Sequence, residues 1–168
     1  MEFQTVILAK HHIRNEFTCG QEILDDYIKK QANQDMRKRL AMCFIIADEP
    51  NDSRVKGYYT LSNTSISREF IPEELQRKFP KAYTAIPATL LGRLARDRNF
   101  TKQGLGEKLL IDALYRSYLA SRELGSFAVV VDPIDEIAEQ FYIGYGFTKL
   151  PDSGKLFLPM KTIEQLFE

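Results

Sequence analysis

Apolar positions change their spacing along the chain, and each change marks a new element. Val6 to Leu8 is a short β-prone opening. Ile23, Leu24, Tyr27 and Ile28 then recur at helical intervals, and Thr18 precedes Gln21 in capping-box spacing. Together these predict a helix from Gln21 to about Leu40. Met42-Cys43-Phe44-Ile45-Ile46 is a short apolar run suited to a buried strand. The turn chemistry of Asp48 to Ser53 joins it to an alternating stretch, Val55 to Ile66, as a hairpin. Pro72 to Phe79 reads as a short helix with proline in its first turn.

The second half has a regular order. Pro87 to Ala95 is a strand, and Leu105, Leu109, Ala113 and Leu114 mark one face of a helix reaching about Ser121. Phe127 to Val131 is β-branched enough for a strand buried on both sides. Asp135 to about Tyr145 is a second helix. Phe147 to Leu150 and Leu156 to Leu158 are closing strands around the turn Pro151-Asp152-Ser153-Gly154. Strand–helix–strand–helix–strand predicts an α+β fold whose mixed sheet carries helices against it. At 168 residues, without repeats or a low-complexity linker, one domain over 1–168 is expected.

Composition narrows this picture only a little. The apolar share of 44% and charged share of 27% are those of an ordinary globular protein. No apolar run is long enough to span a membrane, and MEFQTVILAKHH lacks the layout of a signal peptide. Cys19 and Cys43 are too few for a disulfide framework and stand in no metal-ligand spacing, so no metal is expected and a cytoplasmic location is. His11 and His12 read as surface or end-of-strand residues. The 23 basic and 23 acidic residues cancel, which gives no general reason to expect nucleic-acid binding. The charge is nevertheless uneven: Lys29, Lys30, Arg37, Lys38 and Arg39 face only Asp35, and Arg93, Arg96, Arg98 and Lys102 surround Asp97. Solvated faces and phosphate-meeting patches both fit these clusters.

The junction LLGRLARDRNFTKQGLGEKLL carries the candidate chemistry. A strand ends, a polar loop follows, and Gly104-Leu105-Gly106 opens a helix. Glycines there let backbone N–H groups approach an anion that the helix dipole favours. Leu109 stands where the third glycine of a dinucleotide fingerprint would fall, and no G-x-x-x-x-G-K-[ST] is present. A phosphate cradle of another kind, or a flexible loop that merely caps a helix, remains.

The strand LLGRLARD, the loop–helix QGLGEKLL, the strand FAVVVD and the segment FYIGYGF resemble, in order and spacing, the GNAT superfamily of acetyl-coenzyme A-dependent N-acetyltransferases. The resemblance implies a central, mostly antiparallel sheet flanked by helices, with a splayed strand pair. It implies acetyl-CoA as cofactor. Main-chain groups of Leu94, Ala95 and Arg96 would pair with the pantetheine arm, and Gln103, Gly104, Leu105, Gly106, Glu107 and Lys108 would hold the pyrophosphate. Thr101 occupies the position where the family carries Arg or Gln, so the cradle is expected to rest on backbone amides. Tyr142, in the F-Y-x-x-x-G-F frame, would be the general acid, with Tyr145 as the alternate. No general base announces itself. That suits an α-amine, whose pKa near 8 leaves it substantially neutral, better than a lysine near 10.4.

The N-terminal half narrows the family. FTCG before LDDYI, then GYYTLS, then LGRLA, with LFLPM near the C-terminus, resemble the GNAT toxins of toxin–antitoxin pairs. This similarity implies acetylation of the α-amine of an aminoacyl-tRNA, arrest of translation, and a small ribbon-helix-helix antitoxin as partner. Arg93, Lys29, Lys30, Arg37, Lys38 and Arg39 are the candidate substrate contacts. A homodimer, a GNAT enzyme for a small amine or protein N-terminus, and a catalytically silent coenzyme-binding module all stay open.

Overall fold

The computed structural model describes all residues, 1–168. Its elements are β1 (Val6–Ile7), α1 (Glu22–Asp26), a π-helical turn (Tyr27–Gln31), α2 (Ala32–Arg37), β2 (Met42–Asp48), β3 (Asp52–Ser67), a 3₁₀ turn (Arg68–Phe70) and α3 (Glu73–Gln76). They continue with β4 (Ala85–Arg96), α4 (Leu105–Ser121), β5 (Ala128–Val131), α5 (Glu136–Gly144), β6 (Thr148–Lys149), β7 (Leu156–Pro159) and α6 (Met160–Phe167). The seven strands form one sheet in the order β1-β2-β3-β4-β5-β7-β6. β4 and β5 are parallel, and the β1–β2, β2–β3, β5–β7 and β6–β7 pairs are antiparallel. The fold is therefore the α+β architecture with a mostly antiparallel sheet that the resemblance implied. By contacts the chain falls into two compact units, Met1–Ser62 with Leu91–Leu114, and Asn63–Leu90 with Tyr115–Glu168.

In the first unit Phe17, Tyr27, Ile28, Cys43, Ile45 and Tyr58 belong to one apolar core. β3 departs from the expected alternation. Val55 to Thr60 are all buried, because this stretch is covered on both faces. Tyr58 enters the core beside Phe17 and Tyr27, while Tyr59 stacks on Phe44 at 5.2 Å. Lys56 tolerates burial by pairing with Asp48 at 3.1 Å. Gly57 matters for position: a Cβ there would lie 2.8 Å from Leu109 Cδ1 and 3.2 Å from the Ala95 carbonyl, so its absence lets α4 seat closely.

One buried carboxylate ties that helix to its surroundings. Asp112 is fully buried on α4 and accepts from the hydroxyls of Thr5 and Tyr59, both at 2.6 Å, and from the Gln4 amide. Hydrogen bonds to a charged acceptor are the stronger kind, and their loss leaves buried hydroxyls unmatched. We expect Asp112→Ala to lower unfolding stability by about 3 kcal/mol, read from the midpoint of a urea titration. A midpoint unchanged from the parent would contradict this role.

The entry to α1 departs from the expected capping box. Gln21 is the N-cap residue and makes no side-chain cap. Acids hold the chain instead: Asp25 accepts the Cys19 amide at 2.8 Å, and Asp97 accepts that of Thr18 at 3.3 Å. The single expected helix is also interrupted by the π-helical turn at Tyr27–Gln31, where the Ala32 amide reaches back to the Tyr27 carbonyl.

In the second unit Ile66, Ile86, Ala88, Ala128, Val130 and Phe157 are core residues, and all four residues of β5 are buried. Residues 68–84 are folded around Arg68, whose guanidinium donates to the carbonyls of Gln76, Phe79, Pro80 and Tyr83 at 2.7–3.1 Å. The C-terminal helix α6 went unpredicted; it buries Met160 and Ile163, and its Phe167 packs on Tyr115 and Tyr118.

Candidate active site

The loop before α4 contains two residues in the left-handed region. Lys102 and Gly104 both have positive φ, 60° and 64°, and residues 101–104 are exposed. A Cβ on Gly104 would meet nothing within 4 Å, so the glycine serves conformation rather than space. The first helical bond runs from the Lys108 amide to the Gly104 carbonyl at 3.0 Å. Leu105, Gly106 and Glu107 are thus the first helical positions, whose amides have no acceptor within the helix. The Lys108 amide, by contrast, is engaged by the Gly104 carbonyl. Buried Leu105, Leu109 and Leu110 anchor the helix, and the dipole of 17 residues points at the loop.

Ahead of this loop, β4 pairs with β5 at Thr89↔Val129 and Leu90↔Val130 and then runs on to Arg96. Leu94, Ala95 and Arg96 lie beyond that register, with Ala95 buried and Arg96 exposed. Asp97 forms no ion pair with Arg93, Arg96 or Arg98. It is 4% exposed, and its carboxylate braces the turn by accepting the amides of Thr18 and Asn99.

Tyr142 belongs to the second unit. Asp135 caps α5 by accepting the Ala138 amide at 2.8 Å, which sets where the helix begins. At the other end Gly146, at φ 98°, turns the chain so that the Phe147 amide returns to the Tyr142 carbonyl. The Phe147 and Phe141 rings each lie 5.3 Å from that of Tyr142. The FYIGYGF segment thus folds its outer aromatics around the inner one. The Tyr142 side chain is buried, burial pushes its pKa above the ordinary phenol value, and its hydroxyl makes no hydrogen bond within the protein. A protonated donor without an internal acceptor is suited to give its proton to a substrate atom. Tyr145 is half-buried against Phe141.

Of the basic candidates, Lys29, Lys30, Arg37, Lys38 and Arg39 are all exposed. Arg93 is half-buried, with its guanidinium 3.6 Å from the centre of the Tyr27 ring. Sequence reasoning missed this platform, because Tyr27 had the spacing of a core residue.

His11, His12 and Glu49 bring their ligand atoms within 4.8 Å of one another. Of the two readings, surface or end of strand, His12 departs from the first: it is buried, because its imidazole closes the turn that follows β1. Its Nδ1 accepts the Ala9 amide at 2.8 Å, which assigns the proton to Nε2. Burial, opposed by Glu49, holds its pKa below the ordinary value. Metal ligation through Nε2 would displace that proton while Nδ1 is held by a donor, the reverse of the usual second partner of a metal-bound histidine.

Comparison with known proteins places the chain. It is 34% identical over 151 residues to a tRNA-acetylating toxin of Mycobacterium tuberculosis, covering 89% of this chain and 87% of that protein. It is 31% identical over 163 residues to a probable toxin TacT of Sinorhizobium fredii, covering 92% and 89%. The chain belongs to the tRNA-acetylating GNAT toxins. Among solved structures of the family, AtaT complexed with acetyl-methionyl-tRNA has a TM-score of 0.89 at 31% identity, covering 98% of each chain. A tyrosine-to-phenylalanine mutant of KacT has a TM-score of 0.88 at 31% identity, covering 98% of this chain and 99% of that one. AtaT has also been solved with acetyl-CoA and the C-terminus of its antitoxin AtaR, and KacTA with DNA. No family model matches the chain. The family is an acetyltransferase family, as the toxin motifs implied, and no helix here is long and apolar enough to cross a membrane.

Proposed function

We propose that this chain transfers the acetyl group of acetyl-CoA to the α-amine of an aminoacyl-tRNA and thereby stops translation. The observation that carries this reading is Tyr142, a protonated phenol buried between two rings with no hydrogen-bond partner in the protein, in a chain of the toxin family. Acetyl-CoA supplies a thioester carbonyl. Leu105, Gly106 and Glu107 hold its pyrophosphate through their amides, with Gln103 and Gly104 shaping the loop and the Lys108 side chain alongside. The main chain of Leu94, Ala95 and Arg96 orients the pantetheine arm. As the neutral amine bonds to the carbonyl carbon and the carbon–sulfur bond breaks, Tyr142 gives its proton to the sulfur. The amine's surplus proton leaves to water and water returns a proton to the Tyr142 oxygen, so no dedicated base is required near pH 8.

Exposed Lys29, Lys30, Arg37, Lys38 and Arg39 meet phosphates of the substrate. The zero net charge sets no overall field, so this attraction is local. A small ribbon-helix-helix antitoxin is the partner this reading requires, and cytoplasm is the place where charged tRNA is met. Cell-free translation with the purified protein tests it. We expect arrest that needs acetyl-CoA, with acetylated aminoacyl-tRNA recovered from the mixture. Full translation at micromolar protein, with acetylation of small amines only, would replace this reading by that of a small-amine acetyltransferase.

A further inference from the structure

We propose that Arg93, held over the Tyr27 ring, receives a phosphodiester oxygen of the nucleic-acid substrate; this rests on the reading of the substrate given above. The guanidinium is half-buried and 3.6 Å from the Tyr27 ring centre. No carboxylate lies within ion-pair distance of it and it makes no hydrogen bond within the protein, so its N–H donors are available at the edge of the stack. The acid bound to the platform is turned to another purpose: Asp35 accepts the Tyr27 hydroxyl at 2.8 Å. The other cation of the neighbourhood, Arg14, donates to the Ile28 carbonyl and to Asn33. A half-desolvated cation without a counter-charge is unfavourable until an anion arrives.

The platform is fixed. Tyr27 is buried at the start of the π-helical turn, its hydroxyl is held by Asp35, and its ring stacks on Tyr58 with an interplanar angle of 17°. Tyr58 in turn donates to the Leu24 carbonyl at 2.8 Å. The contact holds the guanidinium carbon 3.6 Å from the ring centre, and its planar fork carries two N–H groups that can bond together to one anion. That geometry matches two oxygens of a phosphodiester better than a point charge does. Lys29, on the same π-helical turn, is exposed and adds positive charge, whereas exposed Lys30 pairs with Asp26 at 3.3 Å.

The experiment compares the parent with Arg93→Gln and Arg93→Lys in steady-state acetylation of aminoacyl-tRNA over a series of salt concentrations, with acetyl-CoA binding measured separately. For Arg93→Gln we expect the loss in KM, about tenfold, rather than in kcat, and an unchanged Kd for acetyl-CoA. The slope of log kcat/KM against log salt should become shallower by about 0.7, the value for one phosphate of a single strand. Arg93→Lys should keep the parent slope and lose part of the affinity, because charge remains and the fork does not. An unchanged KM, a raised KM with the parent's salt slope, or a parallel loss of acetyl-CoA binding each overturns the inference. If the parent itself fails to acetylate aminoacyl-tRNA, the substrate reading fails and takes this inference with it. A parent that is active beside an indistinguishable Arg93→Gln sinks the inference alone.

Discussion

Tyr142→Phe should lower kcat for acetyl transfer by about 10²–10³-fold, the scale of a lost general acid, at unchanged affinity for acetyl-CoA. The substitution removes one oxygen and leaves the ring between Phe141 and Phe147. Because the hydroxyl bonds no protein group, folding should be indifferent to it, with a shift within about 0.5 kcal/mol in urea unfolding. Burial raises the phenol's pKa. The parent rate should therefore climb with pH as the amine loses its proton and show no descending limb from phenol ionisation below about pH 10. Stopped turnover with intact cofactor binding separates a proton donor from a packing residue. A Tyr142→Phe enzyme with parental kcat at saturating acetyl-CoA would remove the assignment, and Tyr145 would be the next residue to test.

The second large effect is expected at the loop. Gly104 sits at φ 64°, a region where a β-branched residue is a genuine outlier. Gly104→Val should swing the following amides out of register and weaken acetyl-CoA binding by more than tenfold, measured by calorimetry. Thr101→Ala should change the Kd less than twofold. Thr101 is exposed, and the proposed cradle relies on main-chain amides. The contrast between these variants is the test: loss of binding on Thr101→Ala would mean that a side chain, not the amide array, holds the pyrophosphate. No outward collision confuses the result, because a Cβ at Gly104 points into open space.

Those two residues were visible in the sequence for different reasons. Gly104 stood at a strand-to-helix junction, where the switch in apolar spacing and the flanking glycine have a direct conformational meaning. The helix that follows was readable to its ends, since Leu105, Leu109, Ala113 and Leu114 fix a face by local periodicity alone. Tyr142 had no such local signature. Only the surrounding FYIGYGF frame, recognised as a resemblance, distinguished it from a core aromatic. In the structure the distinction becomes physical: Gly146 turns the chain, Phe147 closes on the ring, and the hydroxyl is left without an internal partner. Short α6 escaped because its eight residues offer little more than two turns of pattern.

By itself the sequence determined the strand–helix order of the second half up to β7, the mixed sheet, the glycine-bearing junction before α4 and the toxin family. Each is written in local spacing or in motifs whose residues are close along the chain. Tertiary structure alone decided which polar groups are satisfied. It placed Asp112 under Thr5 and Tyr59, turned Asp97 to backbone amides, and buried His12 with its Nδ1 on the Ala9 amide. It also inserted a π-helical turn at Tyr27 and set Arg93 upon its ring with no acid to meet it. Partnership between residues tens of positions apart depends on packing, and one-dimensional periodicity carries no record of it.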